Sequence, residues 1–104
     1  MELIPHSPTE GVYPATPVSG VAGTTLERQL ELVWNNIRAI LASAGMTTAN
    51  IVRLTSYLRN ADYAAANQNA RLSALGDHIV PTTAIVVQTL RKDWLVEIEI
   101  IAAA

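Results

Sequence analysis

The sequence predicts an α+β fold in which two helices pack on one face of a mixed β-sheet. Three observations carry this expectation. Apolar residues recur at three- and four-residue steps through residues 26–44. Segments 51–59 and 95–103 alternate with period two, and between them lies an Ala-rich stretch of high helix propensity. The order after residue 23 is helix, strand, helix, strand, strand, with no internal repeat and no linker, so residues 1–104 read as a single domain.

Each element has its own signals. Residues 1–23 are rich in Pro, Gly, Ser and Thr, and Pro5, Pro8, Pro14 and Pro17 interrupt regular structure. This predicts an irregular N-terminal arm with a short extended piece around Val18. Thr24, followed three residues later by Glu27, has the form of a capping box, in which side chains satisfy the first free N–H groups of a helix. The stripe Leu26, Leu30, Val33, Ile37, Ile40, Leu41 and Ala44 follows, and Gly45 supplies a left-handed stop. From Ile51 to Arg59, Val52, Leu54 and Leu58 fall on one side, with Arg53, Thr55, Tyr57 and Arg59 on the other. Asn60 or Asp62 caps a second helix that runs to about Leu75 and closes at Gly76. Pro81 opens a strand from Thr82 to Leu90, Arg91-Lys92-Asp93 makes a turn, and Leu95 to Ala103 completes a predicted β-hairpin.

Composition narrows the function classes. Half of the 104 residues are apolar, only 15% are charged, and Phe is absent. A short domain buries a limited share of its surface, so this apolar excess predicts an exposed patch and a homo-oligomer that covers it. The net charge is −2, with no basic stripe, which argues against capture of nucleic acid or of an anionic membrane. Without Cys there is no disulfide or thiolate chemistry. The first residues lack the charged and apolar regions of a secretory signal, and no stretch reaches the length of a membrane span, so a soluble cytoplasmic protein is expected.

The most informative candidates for chemistry are Glu97 and Glu99. On a strand they project from one face about 7 Å apart, while Val96, Ile98 and Ile100 point the other way. One reading is a solvated strand face. The other follows from Ile101, which shares the carboxylate face: a carboxylate beside apolar surface at a subunit junction has a raised pKa and serves in proton transfer. Asn67 and Asn69 fall within the second helix, where Asn is a poor former; Asn67 reads first as a structural polar contact and second as a bond to a neighbouring turn or a ligand. His6 and His78 are far apart and have no Cys or clustered carboxylate beside them, so no metal site and no cofactor is expected. Gly20 to Thr25 lacks the lysine and the preceding strand of a phosphate loop and reads as a helix start. Trp34 and Trp94 read as packing or interface residues.

From Leu26 to Ala104 the chain resembles the Rid/YjgF family of reactive-intermediate deaminases, historically labelled perchloric-acid-soluble endoribonucleases. The resemblance runs through Gln29-Leu30, Asn36-Ile37, Leu41 and Ala44-Gly45, then Ile51 to Leu58, Asp62-Tyr63 with Asn67, Pro81-Thr82-Thr83, and finally Val96 to Ala102. It implies a chorismate-mutase-like fold, a homotrimer, and clefts between subunits that bind small carboxylates. In the best-known branch, enamine or imine acids are hydrolysed there to keto acids and ammonia. A glutamate on the last strand, which maps onto Glu97, helps to place or protonate the attacking water and the nitrogen. An arginine just after the proline holds the substrate carboxylate; in this chain Thr82 or Thr83 stands there, and neither supplies its charge or bidentate grip. Gly11-Val12-Tyr13 and Val18-Ser19-Gly20 resemble the two ends of the family's N-terminal strand pair, most of which is shortened or missing from this sequence. The resemblance thus nominates Glu97 as catalytic, and Tyr13, Asn67, Thr82 and Thr83 as ligand-binding. It points first to a hydrolase or deaminase of small enamines, imines or related carbonyl compounds. A trimer that binds a small metabolite without turnover comes second, and an endoribonuclease, which the charge pattern does not favour, third.

Overall fold

The computed structural model describes residues 2–3 and 25–104. In chain order the elements are strand β1 (Glu2–Leu3), helix α1 (Leu26–Ser43), strand β2 (Ile51–Leu58), helix α2 (Ala64–Leu75), strand β3 (Thr82–Val86) and strand β4 (Val96–Ala103). The strands form one mixed sheet in the order β1-β4-β2-β3, with β4 antiparallel to both β1 and β2 and β3 parallel to β2. The α+β class with two helices on a mixed sheet is as the sequence predicts.

Helix α1 begins one residue later than its capping box suggests. Thr25 is the N-cap, and its hydroxyl accepts from the Arg28 N–H at 3.1 Å. Thr24 lies outside the described residues, as do His6, Tyr13 and Val18. The shift has a simple cause: starting the helix at Leu26 sets Leu30, Val33, Ile37 and Leu41 on the buried face, and Thr25 is the residue then left in extended backbone. At the other end Gly45 has φ 71°, while Met46 N–H donates to the Leu41 carbonyl and Gly45 N–H to that of Ala42. This is a Schellman closure, and Met46 joins Leu41 in the core, as such closures favour. Of the two candidate caps for the second helix, Asn60 is used. Its side chain accepts from Asp62 N–H at 2.8 Å and starts a 3₁₀ turn, Ala61–Tyr63, that feeds α2.

The core lies between the helices and one face of the sheet. Leu30, Val33, Trp34, Ile37 and Leu41 of α1 meet Leu54 and Leu58 of β2 and Val96, Ile98, Ile100 and Ala102 of β4, with Ala66, Ala70 and Ala74 of α2 packed at the side. The small α2 residues explain how an Ala-rich helix can sit close to its neighbours without deep side chains.

Three expectations need correction. The predicted hairpin from Thr82 to Ala103 does not form. Strand β3 stops at Val86, residues 87–95 cross the end of β2, and β3 and β4 pair with opposite edges of β2. Strand β2 is thus paired on both edges, whereas a β3–β4 hairpin would leave one of its ladders unmade. Val52 is 48% exposed rather than on the buried side, because the ladder shifts between Ile51 and Arg53, which turns Ile51 inward and Val52 out. Within the N-terminal arm, Glu2–Leu3 is a strand rather than irregular chain, and it takes up backbone groups at the end of β4.

Thr25→Ala is expected to cost about 1 kcal/mol in urea denaturation, through loss of the cap bond, and Thr24→Ala clearly less. Equal effects would contradict the helix start described here.

Candidate functional site

Alternation along β4 separates its two chemistries. Val96, Ile98, Ile100 and Ala102 are buried under the helices, whereas Glu97, Glu99 and Ile101 are only partly buried on the other, open face. Register then fixes their neighbours. Glu97 lies opposite Tyr57, Glu99 opposite Thr55 and Ile101 opposite Arg53, while on the far side of β2 Thr83 pairs with Thr55 and Ile85 with Tyr57. Paired residues of a ladder share a face, so two carboxylates, a phenol, two threonines and a guanidinium stand together on the open side.

The carboxylates perturb one another. The Glu97 carboxyl is held above the usual glutamate range, first by burial and then by the negative charge of Glu99. Tyr57 is raised in turn by burial, by Glu99 and by Glu97, and its hydroxyl donates a long bond of 3.5 Å to Glu99 Oε1. A carboxyl that keeps its proton into a higher pH range than a free one can donate it to a reacting nitrogen or oxygen.

What delivers β4 in this phase is a polar clamp that the sequence reading missed. Gln29 of α1 is 1% exposed; its amide donates to the Asp93 carbonyl at 2.6 Å and accepts from the Leu95 N–H at 2.7 Å. One side chain therefore satisfies both backbone groups just before β4 starts. Buried Thr89 adds a second tie: its hydroxyl accepts from Arg59 Nη1 at 2.9 Å and donates to the Trp94 carbonyl at 2.6 Å. The Arg91 guanidinium lies over the buried Trp94 ring, 5.5 Å from its centroid. The signal for Gln29 was present, since it precedes Val33 and Ile37 by four and eight residues and so falls on the buried stripe.

The remaining predicted site residues divide. Thr83 is on the open face, and its Oγ1 accepts from Arg53 Nη2 at 3.1 Å. Thr82 alternates to the other face, where its hydroxyl donates to the Val80 carbonyl at 2.9 Å. Asn67 is 3% exposed in the helix layer, across the sheet from Glu97, and its Oδ1 has no hydrogen-bond partner among the described residues. His78 Nε2 lies 2.8 Å from the Ile51 carbonyl, which ties a loop to β2. Among the described residues no group of three His, Cys, Asp or Glu could hold a metal, and no helix is long and apolar enough to cross a membrane. A groove of about 480 Å³ runs between α1 and α2, lined by Leu30, Trp34, Ala66 and Ala70 with Glu31 and Arg38 at its rim. It contains neither glutamate of β4.

The geometry can now be set beside known proteins. The family model for endoribonuclease L-PSP matches residues 9–104. The chain belongs to that family, the Rid/YjgF group. A RutC family protein of Haemophilus influenzae is 32% identical over 98 residues, which is 90% of this chain and 75% of that protein. An Escherichia coli protein provisionally named the reactive intermediate deaminase TdcF is 31% identical over 98 residues, with the same coverage. Among solved structures, a Rid family protein from Yersinia pestis is 31% identical with a TM-score of 0.85, over 91% of this chain and 77% of that one. Escherichia coli TdcF with bound serine is 25% identical with a TM-score of 0.84, over 92% and 78% respectively. Membership in the Rid/YjgF family agrees with the resemblance carried by Gln29-Leu30, Ile51 to Leu58 and Val96 to Ala102.

Gln29→Leu keeps the volume but leaves the Leu95 N–H and the Asp93 carbonyl without their partner. Stability is expected to fall by roughly 2–4 kcal/mol in denaturant titration. A loss below about 0.5 kcal/mol would show that the clamp does not hold the start of β4.

Proposed function

We propose that this Rid/YjgF family member is a hydrolase of small enamines, imines or related carbonyl compounds, with Glu97 as its proton-transfer group. The observation that carries the reading is the position of Glu97: partly buried, beside Tyr57 and Glu99, with its carboxyl raised. Hydrolysis of an imine adds water across the C=N bond, and the carbinolamine then loses ammonia to leave a carbonyl compound. The nitrogen gains two protons and the water loses both of its own, one on attack and one as the carbinolamine hydroxyl becomes the carbonyl, and a single carboxyl that alternates between base and acid can carry each transfer. The similarity to TdcF supports the same reaction class. A weakly acidic chain with net charge −2 offers little to an RNA backbone, so the endoribonuclease reading ranks last.

The open face is the proposed place of assembly. A homotrimer with its clefts between copies would cover this face and the exposed apolar edge of β3, where Ile85 is 42% and Val86 55% exposed. The second reading, a trimer that binds a metabolite without turnover, is favoured by the absence of an arginine directly after Pro81. No cofactor is proposed for either reading, and a cytoplasmic location accompanies both.

Two outcomes are expected. Sedimentation at micromolar concentration reports about three chains per particle, an interface of the larger, permanent class; a clean monomer would remove the inter-subunit cleft. In assays of ammonia release from freshly generated imines, Glu97→Gln lowers turnover roughly 10²-fold with the assembly intact, and Glu99→Gln costs much less. The pH dependence adds a sign. With protonated Glu97 as the working acid, activity falls as pH rises through its raised pKa; Glu99→Gln removes one of the two causes of that rise, so the falling limb moves to lower pH. Turnover that Glu97→Gln leaves unchanged would sink the catalytic reading, and ligand binding without ammonia release from the parent protein would favour the second.

A further inference from the structure

We propose that the groove between α1 and α2 is a second ligand site, separate from the sheet face, and that it takes a small aromatic amine with a hydrogen-bond acceptor at the far end of its ring.

The groove has the size and the walls of a binding site. Its volume of about 480 Å³ falls within the range of small-molecule pockets. Leu30 and Trp34 of α1 form one apolar wall, and Ala66, Ala70 and Ala74 of α2 form the other. The alanines recur every four residues, so they make one row along α2, and their single methyl groups keep the space open.

An unmade hydrogen bond defines one end of the ligand. Trp34 is 3% exposed, and its Nε1 is buried with no hydrogen-bond partner among the described residues. A buried indole N–H ordinarily finds an acceptor, and leaving it without one costs free energy. The walls do not supply one: Leu30 and the alanines carry no side-chain acceptor, and Asn35 Oδ1 is already engaged by Arg38 Nη1 at 3.1 Å. An oxygen carried in by a ligand completes the bond.

Charge defines the other end. Glu27 and Glu31 line the groove towards the start of α1, and Arg38 lies one turn beyond Trp34. Arg28 pairs with Glu31 at 2.6 Å, whereas Glu27 is in neither of the ion pairs among the described residues. A cation is therefore drawn to the Glu27 end and repelled from the Arg38 end. An ammonium midway between Glu27 and Glu31 stands roughly 7 Å along the helix axis from Trp34. A benzene ring with a two-carbon amine arm spans that length and brings a para oxygen to the indole N–H. The groove contains neither Glu97 nor Glu99, so the site does not depend on the reaction proposed for the sheet face.

Tyramine is the probe. Phenethylamine lacks its ring oxygen, and 4-hydroxyphenylacetate reverses its charge. In calorimetry on the full chain, tyramine should bind and phenethylamine should bind roughly three- to tenfold more weakly, the worth of one neutral hydrogen bond. The carboxylate should not bind. Glu27→Gln, at an exposed position, should weaken tyramine by up to about fivefold. The Trp34 indole proton, which Trp34→Phe identifies in the NMR spectrum, should move downfield with tyramine and not with phenethylamine. Trp34→Phe should reduce tyramine to the affinity of phenethylamine; should that variant not fold, the two amines compared on the parent protein carry the same test. Ser73 is exposed and lines the groove, so Ser73→Phe should block both amines and leave sedimentation as in the parent. Tyramine that fails to bind at millimolar concentration, binds Ser73→Phe as well as the parent, or leaves the Trp34 proton unmoved overturns the site. Loss of tyramine binding in Glu97→Gln places the amine on the sheet face and overturns it equally. Dissociation of the Ser73→Phe assembly has the same consequence, because the groove then belongs to a contact with a neighbouring copy.

Discussion

The phase of β4 is the constraint on which the rest of the structure depends. A strand alternates strictly, so a slip of one residue would turn Glu97 and Glu99 into the helix layer and bring Ile98 and Ile100 out to the open face. The energies are lopsided. Each of Val96, Ile98 and Ile100 contributes about 1.5–3 kcal/mol by burial, and two carboxylates without cations in the core would cost several kcal/mol each. Pattern alone therefore specifies the face. It does not specify where the strand begins, and that is the task of the Gln29 amide, which occupies both backbone groups ahead of Val96. A helix residue thereby sets the position of the carboxylates on the far side of the sheet.

Much of this was legible in the sequence, and the failures have physical causes. Helix α1, its glycine stop, strand β2 and the two faces of β4 followed from period and from turn chemistry. The hairpin failed because alternation describes a strand's faces and carries no information about its partner. Two β-rich segments joined through Arg91-Lys92-Asp93 look alike whether they pair with each other or with opposite edges of a third strand. Pairing across β2 is non-local, and it is decided by the unmet hydrogen bonds of that strand. Val52 failed for a related reason, since one extra residue in the ladder inverts every later assignment of faces back to the strand start.

The site shows the same division. Glu97 and Glu99 were visible as an alternating pair, but their company was not. Tyr57, Thr55, Thr83 and Arg53 come from positions 14 to 46 residues away, and only the register brings them to one face. Register also separates the two threonines that follow Pro81. The ladder sends Thr83 to the carboxylate side and folds the Thr82 hydroxyl back onto Val80. Sequence counting could not choose between neighbours whose side chains point in opposite directions.

The open face is chemically uneven, and the unevenness follows from the strand order. Acidic groups belong to the central strand β4, and the guanidinium is drawn towards the edge strand β3, with β2 between them carrying Thr55 and Tyr57. Because no cation among the described residues is paired with them, the two glutamates repel one another in a partly buried setting, and the site meets burial and that repulsion by raising the proton affinity of Glu97. An arginine opposite Glu97 would instead hold both carboxylates ionised and remove the acid. Arg53 instead sits opposite Ile101, two same-face rows along β2 from the position opposite Glu97, which leaves Glu97 able to keep its proton.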